Sequence, residues 1–575
     1  MNKPWVKQYN QGVPESLKPY PEHPLHTFLE QTAARYADKV AIHFKPSHQG
    51  FAKSSLTYAQ LNELSDRMAA ALADRGVKKG DRATIFMPNI PQFVIAFYGI
   101  LKAGGVVVAS NPLYTEPELE HQLKDSSAET IICMSLFYPK VQKVLPNTKI
   151  KNVIVTSVKD YMSPLLRFLF TLAKEKKEGH RVELSGGHVW LKDLLAKHSA
   201  SQRPKVDIGP DDRALFQYSG GTTGVSKAAI ALHRNLVANT LQIRAWNTGL
   251  REGEETVLLA IPLFHVYGMV AGMSFGVQAG ASLALVPNPR DTHAVIDAID
   301  TYRPTIFPGV PRMYNAINNY PGIEKHDLSS IRACISGSEP LLLDVKSKFE
   351  AITGGKLVEG FGMSECPTAA IVNPLLGSGK VGAIGLPLPD VEAKLVSLDD
   401  EVTVLGPREV GELCVRGPQV MFGYHNMPTE TLNTLRRDPN DPDGPPWLYT
   451  GDIATLDEEG YFYIVGRKKE VIKAGGFQVW PREIEDEITK HPAVLEAAVA
   501  GIPDTARGGE AVKAWVVLKP GMTATEEEIR QFLSARLAPY KQPRSIEFRG
   551  ELPKSTVLKI LRRVLVEEEK KKVAA

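Results

Sequence analysis

Between about residues 56 and 125 the chain alternates two rhythms: stretches whose apolar residues recur every three to four positions, and short, almost wholly apolar runs. Leu56-Thr-Tyr-Ala-Gln-Leu-Asn-Glu-Leu64 has the first rhythm and reads as a helix entered through a threonine cap. Residues 82–87 and 105–109 have the second and read as buried strands, as do 130–134, 152–156 and 256–260. Strands alternating with helices predict parallel sheets covered by helices.

From about residue 381 the pattern changes. Strands at 392–396 and 411–416 are short and separated by Gly and Pro, which predicts a small antiparallel barrel or sheet, and 438–446 reads as an exposed loop. After Gly466-Arg-Lys-Lys469 a new unit begins, with strands near Val471 and at 511–517 and helices at 481–488 and 526–537. The expected fold is therefore α/β. A large N-terminal domain, 1–466, has helix-covered β-sheets plus a small β-barrel at about 381–466. A boundary at 467–470 leads to a smaller α+β C-terminal domain, 471–575. The length of 575 residues agrees, because single cores stop growing near ~250–300 residues.

Two apolar stretches invite a membrane reading. Residues 257–287 carry no formal charge apart from His265, and they are long enough to span a bilayer. Pro262 and His265 interrupt the start, glycines dilute the rest, and no basic cluster flanks either end, so a buried strand followed by a buried helix is expected. Within it Gly268, Gly272, Gly276 and Gly280 recur every four residues and form a stripe without side chains. A membrane dimerisation face, close packing against a neighbouring element, and an alkyl groove are the three readings of that stripe. Residues 163–177, apolar first and basic at the end, fit either a helix on a membrane surface or a core-packed helix.

Composition narrows the classes. With 43% apolar and 23% charged residues the chain is an ordinary globular protein, and a net charge of +3 gives no electrostatic reason to invoke nucleic acid. The basic runs 174–177 and 570–572 sit among acidic residues and read as solvated helix faces. Four scattered cysteines lack metal-ligand or disulfide-framework spacing, which fits a reducing compartment. Met1-Asn-Lys-Pro-Trp-Val-Lys-Gln8 has no charged head followed by an apolar run, so no secretory leader is expected.

Candidate chemistry lies in five places. Ser219, Gly220, Gly221, Thr222, Thr223 and Gly224, followed by Lys227, combine flexible backbone, hydroxyl donors and a cation, as a phosphate-binding loop needs. The spacing is not that of a Walker A loop. Glu359-Gly360-Phe361-Gly362-Met363-Ser364-Glu365 offers an aromatic face to a purine, a hydroxyl to a phosphate and, in Glu365, a hard oxygen ligand for Mg²⁺. Asp452 suits a ribose diol, with Arg467 as a further donor, and Lys559 is an isolated cation near the end of the chain.

In this order the loop 218–227, the segment 359–365, the pair Asp452/Arg467, the run 467–479 and Lys559 resemble the motifs of the adenylate-forming superfamily, from about residue 25 to 565. That superfamily includes acyl-CoA synthetases, luciferases and peptide-synthetase adenylation domains. Ala109-Ser-Asn-Pro-Leu-Tyr-Thr115, residues 411–420 and Tyr540-Lys-Gln-Pro-Arg544 are similar to bacterial long-chain-fatty-acid–CoA ligases. The resemblance implies an enzyme that forms acyl-AMP from a fatty acid and ATP, with Mg²⁺ at Glu365, and then passes the acyl group to CoA. It adds Gly337 and Ser338 to the nucleotide site. It also assigns Lys559 to adenylation, names His265 as catalytic, places at Lys469 a hinge, 467–470, about which the C-terminal domain is mobile, and gives Lys473 with Gly475 and Gly476 to the second half-reaction. His265, Gly268, Met269, Gly272 and Gly276 would border the acyl pocket. Leu558 and Ala228 stand where the superfamily usually has glycine. A cytoplasmic enzyme, with peripheral contact at the inner membrane face through 163–177 and a homodimer as its assembly, completes the expectation. Medium-chain or aryl acid–CoA ligases, a fatty-acyl-AMP ligase and a non-catalytic binder of acyl-adenylate or acyl-CoA are the alternatives.

Overall fold

A computed structural model describes residues 3–45, 54–218, 226–377, 379–474, 477–503, 510–554 and 560–574. The apolar runs are its central strands. Arg82–Phe86, Val106–Ala109, Thr130–Met134, Asn152–Thr156 and Arg213–Tyr218 lie parallel within an eight-stranded sheet. Val189–Trp190 ends it on one side, and antiparallel Ala228–Leu232 with Gly423–Tyr424 ends it on the other.

Thr57 caps the helix Tyr58–Asp74 as its sequence implies. The Gln60 N–H donates to Thr57 Oγ1 at 3.2 Å, and the Thr57 N–H donates to Gln60 Oε1 at 2.9 Å. The register so set turns Leu61, Met68 and Leu72 inward against the helix Pro91–Lys102, every residue of which is buried. Gly99 permits the approach, since a Cβ there would lie 2.4 Å from Met68 Cγ.

A second sheet pairs Ser54–Thr57, Val40–Phe44, Ser282–Leu285 and Thr256–Leu259. Through bridges at Ile306 it meets Ala333–Ser336, which pairs in turn with Lys356–Met363, Cys366–Val372 and Leu386–Pro387. The stretch 257–287 is thus strand, helix and strand. Its helix differs from the α-helix expected: Tyr267–Ser274 is π-helical and only Phe275–Gln278 is α-helical. Among the described residues no helix is long and apolar enough to cross a membrane.

Packing divides the chain into two compact units, residues 1–392 with 416–435, and residues 393–415 with 436–575. The second unit contains antiparallel strands Gly411–Arg416, Trp447–Leu456 and Phe462–Arg467, and then the hairpin Ile472–Ala474 with Phe477–Val479. A three-stranded sheet follows, Val494–Pro503, Glu510–Leu518 and Ser545–Phe548, beside helices Pro481–Thr489 and Glu526–Ser534. Ile484, Ile488, Val499, Val516, Ile529 and Leu533 fill its core.

Candidate active site

Seven segments of the first unit, among them 306–308 and Leu388, converge on one cavity with about 790 Å³ of atom-free space, part of it open to solvent. The helix His233–Trp246 contributes Ile243 and Trp246, and the stretch 265–275 contributes His265, Tyr267, Ala271 and Phe275. The ends of two neighbouring strands supply Gly337 with Ser338 and Gly360 with Phe361 and Gly362, while Thr368 to Val372 complete the wall. Six sequence-selected positions, His265, Gly337, Ser338, Gly360, Phe361 and Gly362, therefore share one cavity.

Backbone proximity explains the glycines. A Cβ on Gly362 would fall 1.4 Å from the carbonyl oxygen of Thr368, and one on Gly337 would lie 3.3 Å from the Tyr267 ring. Ser338 holds a left-handed backbone, φ 73°, at the cavity's edge. Thr368 and Ala369 are fixed in turn by buried Asn239, whose Oδ1 accepts from both amides at 2.6 and 3.1 Å and whose Nδ2 donates to the Ala369 carbonyl at 2.7 Å. Tyr267 donates its hydroxyl to the carbonyls of Ile335 and Gly309, locking the π-helical turn to the strand ends.

The described lining holds no Asp, Glu, Lys or Arg. His265 adds no charge either, because burial pushes its pKa down to about 4; its Nδ1 accepts the Tyr267 amide at 3.3 Å. Such a cavity accepts an apolar or uncharged group and repels a buried carboxylate.

The glycine stripe needs correction. Cβ atoms would meet the Pro262 carbonyl oxygen at 2.3 Å from Gly268, Leu259 Cδ2 at 2.3 Å from Gly272, and Leu283 Cδ2 at 2.6 Å from Gly276. Gly280 takes φ 64° at the helix end, and Met269 is wholly buried. These positions pack against strands Thr256–Leu259 and Ser282–Leu285 and their flanks, and none lines the cavity. Ala271 and Phe275, which carry no motif signal, are the cavity face of the same helix. Trp246, Ile243 and Val372 were equally silent in the sequence.

Around the charged candidates the picture is local. Glu365 is buried; the Tyr424 hydroxyl donates to its Oε1 at 2.7 Å and the Met421 amide to its carbonyl at 2.9 Å. Glu359 is buried too, and Ser364 half-buried. Lys227 reaches Glu430 at 3.2 Å and lies 5.4 Å from the Tyr424 ring centroid. In the second unit Asp452 is buried opposite Arg467 on neighbouring strands, with Arg467 Nε 3.1 Å from its Oδ1. Lys468 meets Glu401 at 2.5 Å and Glu412 at 2.6 Å, while Lys469 and Lys473 are exposed. The Lys473 amide donates to Glu510 Oε2 at 2.8 Å. Residues 219–225, Gly475, Gly476, Leu558 and Lys559 lie outside the described residues.

No group of three His, Cys, Asp or Glu side chains that could hold a metal ion occurs among the described residues. One buried carboxylate such as Glu365 fits Mg²⁺ carried in by a polyphosphate, because that ion keeps most of its ligands as water and phosphate oxygen.

Residues 29–425 match the AMP-binding enzyme family, and residues 483–559 match the AMP-binding enzyme C-terminal domain. The chain belongs to the AMP-binding enzymes. The two matched segments of this AMP-binding enzyme include the loop 219–225, the segment 359–365 and Lys559, while Asp452 and the 467–476 run fall between them. It is 43% identical over 570 residues to a long-chain-fatty-acid–CoA ligase of Bacillus subtilis (strain 168), covering 99% of this chain and 98% of that one. Identity to 4-coumarate–CoA ligase 1 of Petroselinum crispum is 34%, over 95% and 94%. Among solved structures, the anthranilate CoA ligase AuaEII with anthranoyl-AMP aligns with TM-score 0.83 at 27% identity, over 96% and 98%. ATP-bound MatB from Rhodopseudomonas palustris aligns at 0.80 and 28%, over 95% and 99%.

Proposed function

We propose that this AMP-binding enzyme joins a long-chain fatty acid to CoA through an acyl-AMP intermediate. The cavity carries the reading: apolar, uncharged along its described lining and edged by the glycine-rich strand ends, it suits an alkyl chain whose carboxylate stays at the rim. Each methylene buried there contributes ~0.8 kcal/mol. Full-length similarity to the Bacillus subtilis ligase supports the long-chain acid and CoA as substrates. A cytoplasmic location, where ATP and CoA are supplied, belongs to the same proposal.

A carboxylate resists thiol attack because it is anionic and its oxygen leaves poorly. In the first step a carboxylate oxygen bonds to the α-phosphorus of ATP and the bond to pyrophosphate breaks. In the second the CoA sulfur bonds to the acyl carbon, its proton is lost to solvent, and AMP leaves with the electron pair of the C–O bond. Both steps bring anions together, so their main need is positive charge and fixed donors. Neutral His265 cannot supply that charge, and the lysines can. Lys559 takes the carboxylate and α-phosphate in this reading, and Lys227 with the 219–224 loop takes the outer phosphates. Asp452, held by Arg467, accepts from the ribose hydroxyls. Glu365 would hold Mg²⁺, which when bound neutralises phosphate charge. Exposed Lys473 and its glycines serve thioester formation after a rotation about Lys469.

Lys559→Ala tests the division of labour. Acid-dependent ATP–pyrophosphate exchange should be lost while supplied acyl-AMP is still converted to acyl-CoA; equal loss of both half-reactions would refute it.

A further inference from the structure

The helix Pro164–Ala173 presents its widest apolar face to solvent. Leu165, Phe168, Leu169 and Leu172 follow the i, i+3, i+4, i+7 spacing of a single face. They are 68%, 60%, 49% and 70% exposed, and no residue of the helix is buried. The opposite side anchors it. Leu166 and Phe170 are half-buried, and the Phe170 ring meets His180 edge-on at 5.6 Å. Arg167 donates to the carbonyls of Lys159 and Asp160 at 3.3 and 3.0 Å. Lys159 ties the segment further, through Thr171 Oγ1 at 3.4 Å and buried Glu175 at 2.5 Å. The helix is therefore held in one orientation with Leu165, Phe168, Leu169 and Leu172 outward, which overturns the core-packed alternative.

Charge selects the occupant of that face. From 159 to 181 the chain has six Lys or Arg against three Asp or Glu. Glu175 pairs with Lys159 and Glu178 lies 3.8 Å from Lys174, while Lys176 and Lys177 are exposed just past the helix. A second copy offering the same face would bring like charges together. An anionic headgroup layer instead matches both features, with apolar side chains entering the acyl boundary and lysines meeting phosphates. The helix has ten residues. At 1.5 Å per residue it rises ~15 Å, half the ~30 Å hydrocarbon thickness, so it lies in the surface plane rather than across the membrane.

We propose that Pro164–Ala173 and the lysines following it dock this protein on an anionic bilayer surface. Uptake of a membrane-dissolved acid after docking rests on the function proposed above; docking itself does not.

The test is co-sedimentation of the full chain, without nucleotide or CoA, with phosphatidylcholine vesicles and with vesicles that also contain phosphatidylglycerol. Wild type should pellet preferentially with the anionic vesicles. Phe168→Ser with Leu172→Ser should weaken that binding tenfold or more, and Lys176→Glu with Lys177→Glu should erase the preference for phosphatidylglycerol. Both pairs are at exposed positions, and unchanged thermal melting will show that the fold is intact. Wild type left in the supernatant, or a serine variant that pellets as wild type does, overturns the proposal. A wild-type dimer that the serine pair turns into a monomer overturns it in favour of a second copy. Docking by a protein that makes no acyl-CoA would refute the proposed function alone.

Discussion

Ala271 and Gly272 are neighbours in the chain but meet different surroundings, so a substitution at each separates pocket shape from packing. Ala271 lines the cavity; Gly272 faces Leu259 of the adjoining strand. Ala271→Phe would set a phenyl ring where about four methylenes of a bound chain could lie, forfeiting ~3 kcal/mol at ~0.8 kcal/mol each. That corresponds to roughly a 150-fold fall in kcat/KM for palmitate. Acids shorter by about four carbons would lose little by the same measure. Gly272→Ala puts a methyl 2.3 Å from Leu259 Cδ2. Overpacking of that kind costs about 1–3 kcal/mol of stability and leaves the ranking of chain lengths unchanged. The assay is kcat/KM across a series of saturated acids, with thermal melting of each variant. An unchanged profile in Ala271→Phe, or a chain-length shift in Gly272→Ala, would refute the assignment of the cavity to the alkyl chain.

Gly362→Ala cannot be accommodated without moving the Thr368 carbonyl, so both half-reactions should fall at least tenfold, read by pyrophosphate exchange and thioester formation; near-wild-type rates would show the strand ends to be free to shift. Burial depresses the pKa of His233 to about 4 and of His26 to about 2, against 6.5 in an unfolded chain. The unfolded state therefore binds protons first on acidification: the stability linked to these histidines is full above pH 6.5 and is lost as the pH falls towards the folded values. For His233 the loss approaches ~3 kcal/mol. Denaturant midpoints should show it, and His233→Gln should flatten the slope. Glu430→Gln frees Lys227 from a competing carboxylate at 3.2 Å and should lower KM for ATP by no more than about fivefold, since such partly exposed pairs are worth ~0–1 kcal/mol. A raised KM would mean that Glu430 positions the lysine.

Much of the fold was legible because its signals are local. The strands Thr130–Met134, Asn152–Thr156 and Gly411–Arg416 have their predicted bounds, and Thr57 with Gln60 starts its helix as a capping pair should. Gly360, Phe361 and Gly362, singled out in a glycine-rich run, do come to the cavity lining. What failed to show was tertiary. Ile243, Trp246, Ala271, Phe275 and Val372 are ordinary apolar residues until distant segments bring them to one cavity. The four-residue glycine spacing could not say which side faced the strands, and nothing in it announces the π-helical winding of Tyr267–Ser274. In residues 163–177 composition was equally compatible with core and surface; only the anchoring of Arg167 and Phe170 decided it.

Mass spectrometry of the products from purified protein, Mg·ATP, CoA and palmitate tests the central claim most directly. Palmitoyl-CoA and AMP in equal amounts, dependent on all three substrates, is the predicted result. Palmitoyl-AMP without thioester would contradict CoA as acceptor, and neither product would contradict the long-chain acid as substrate.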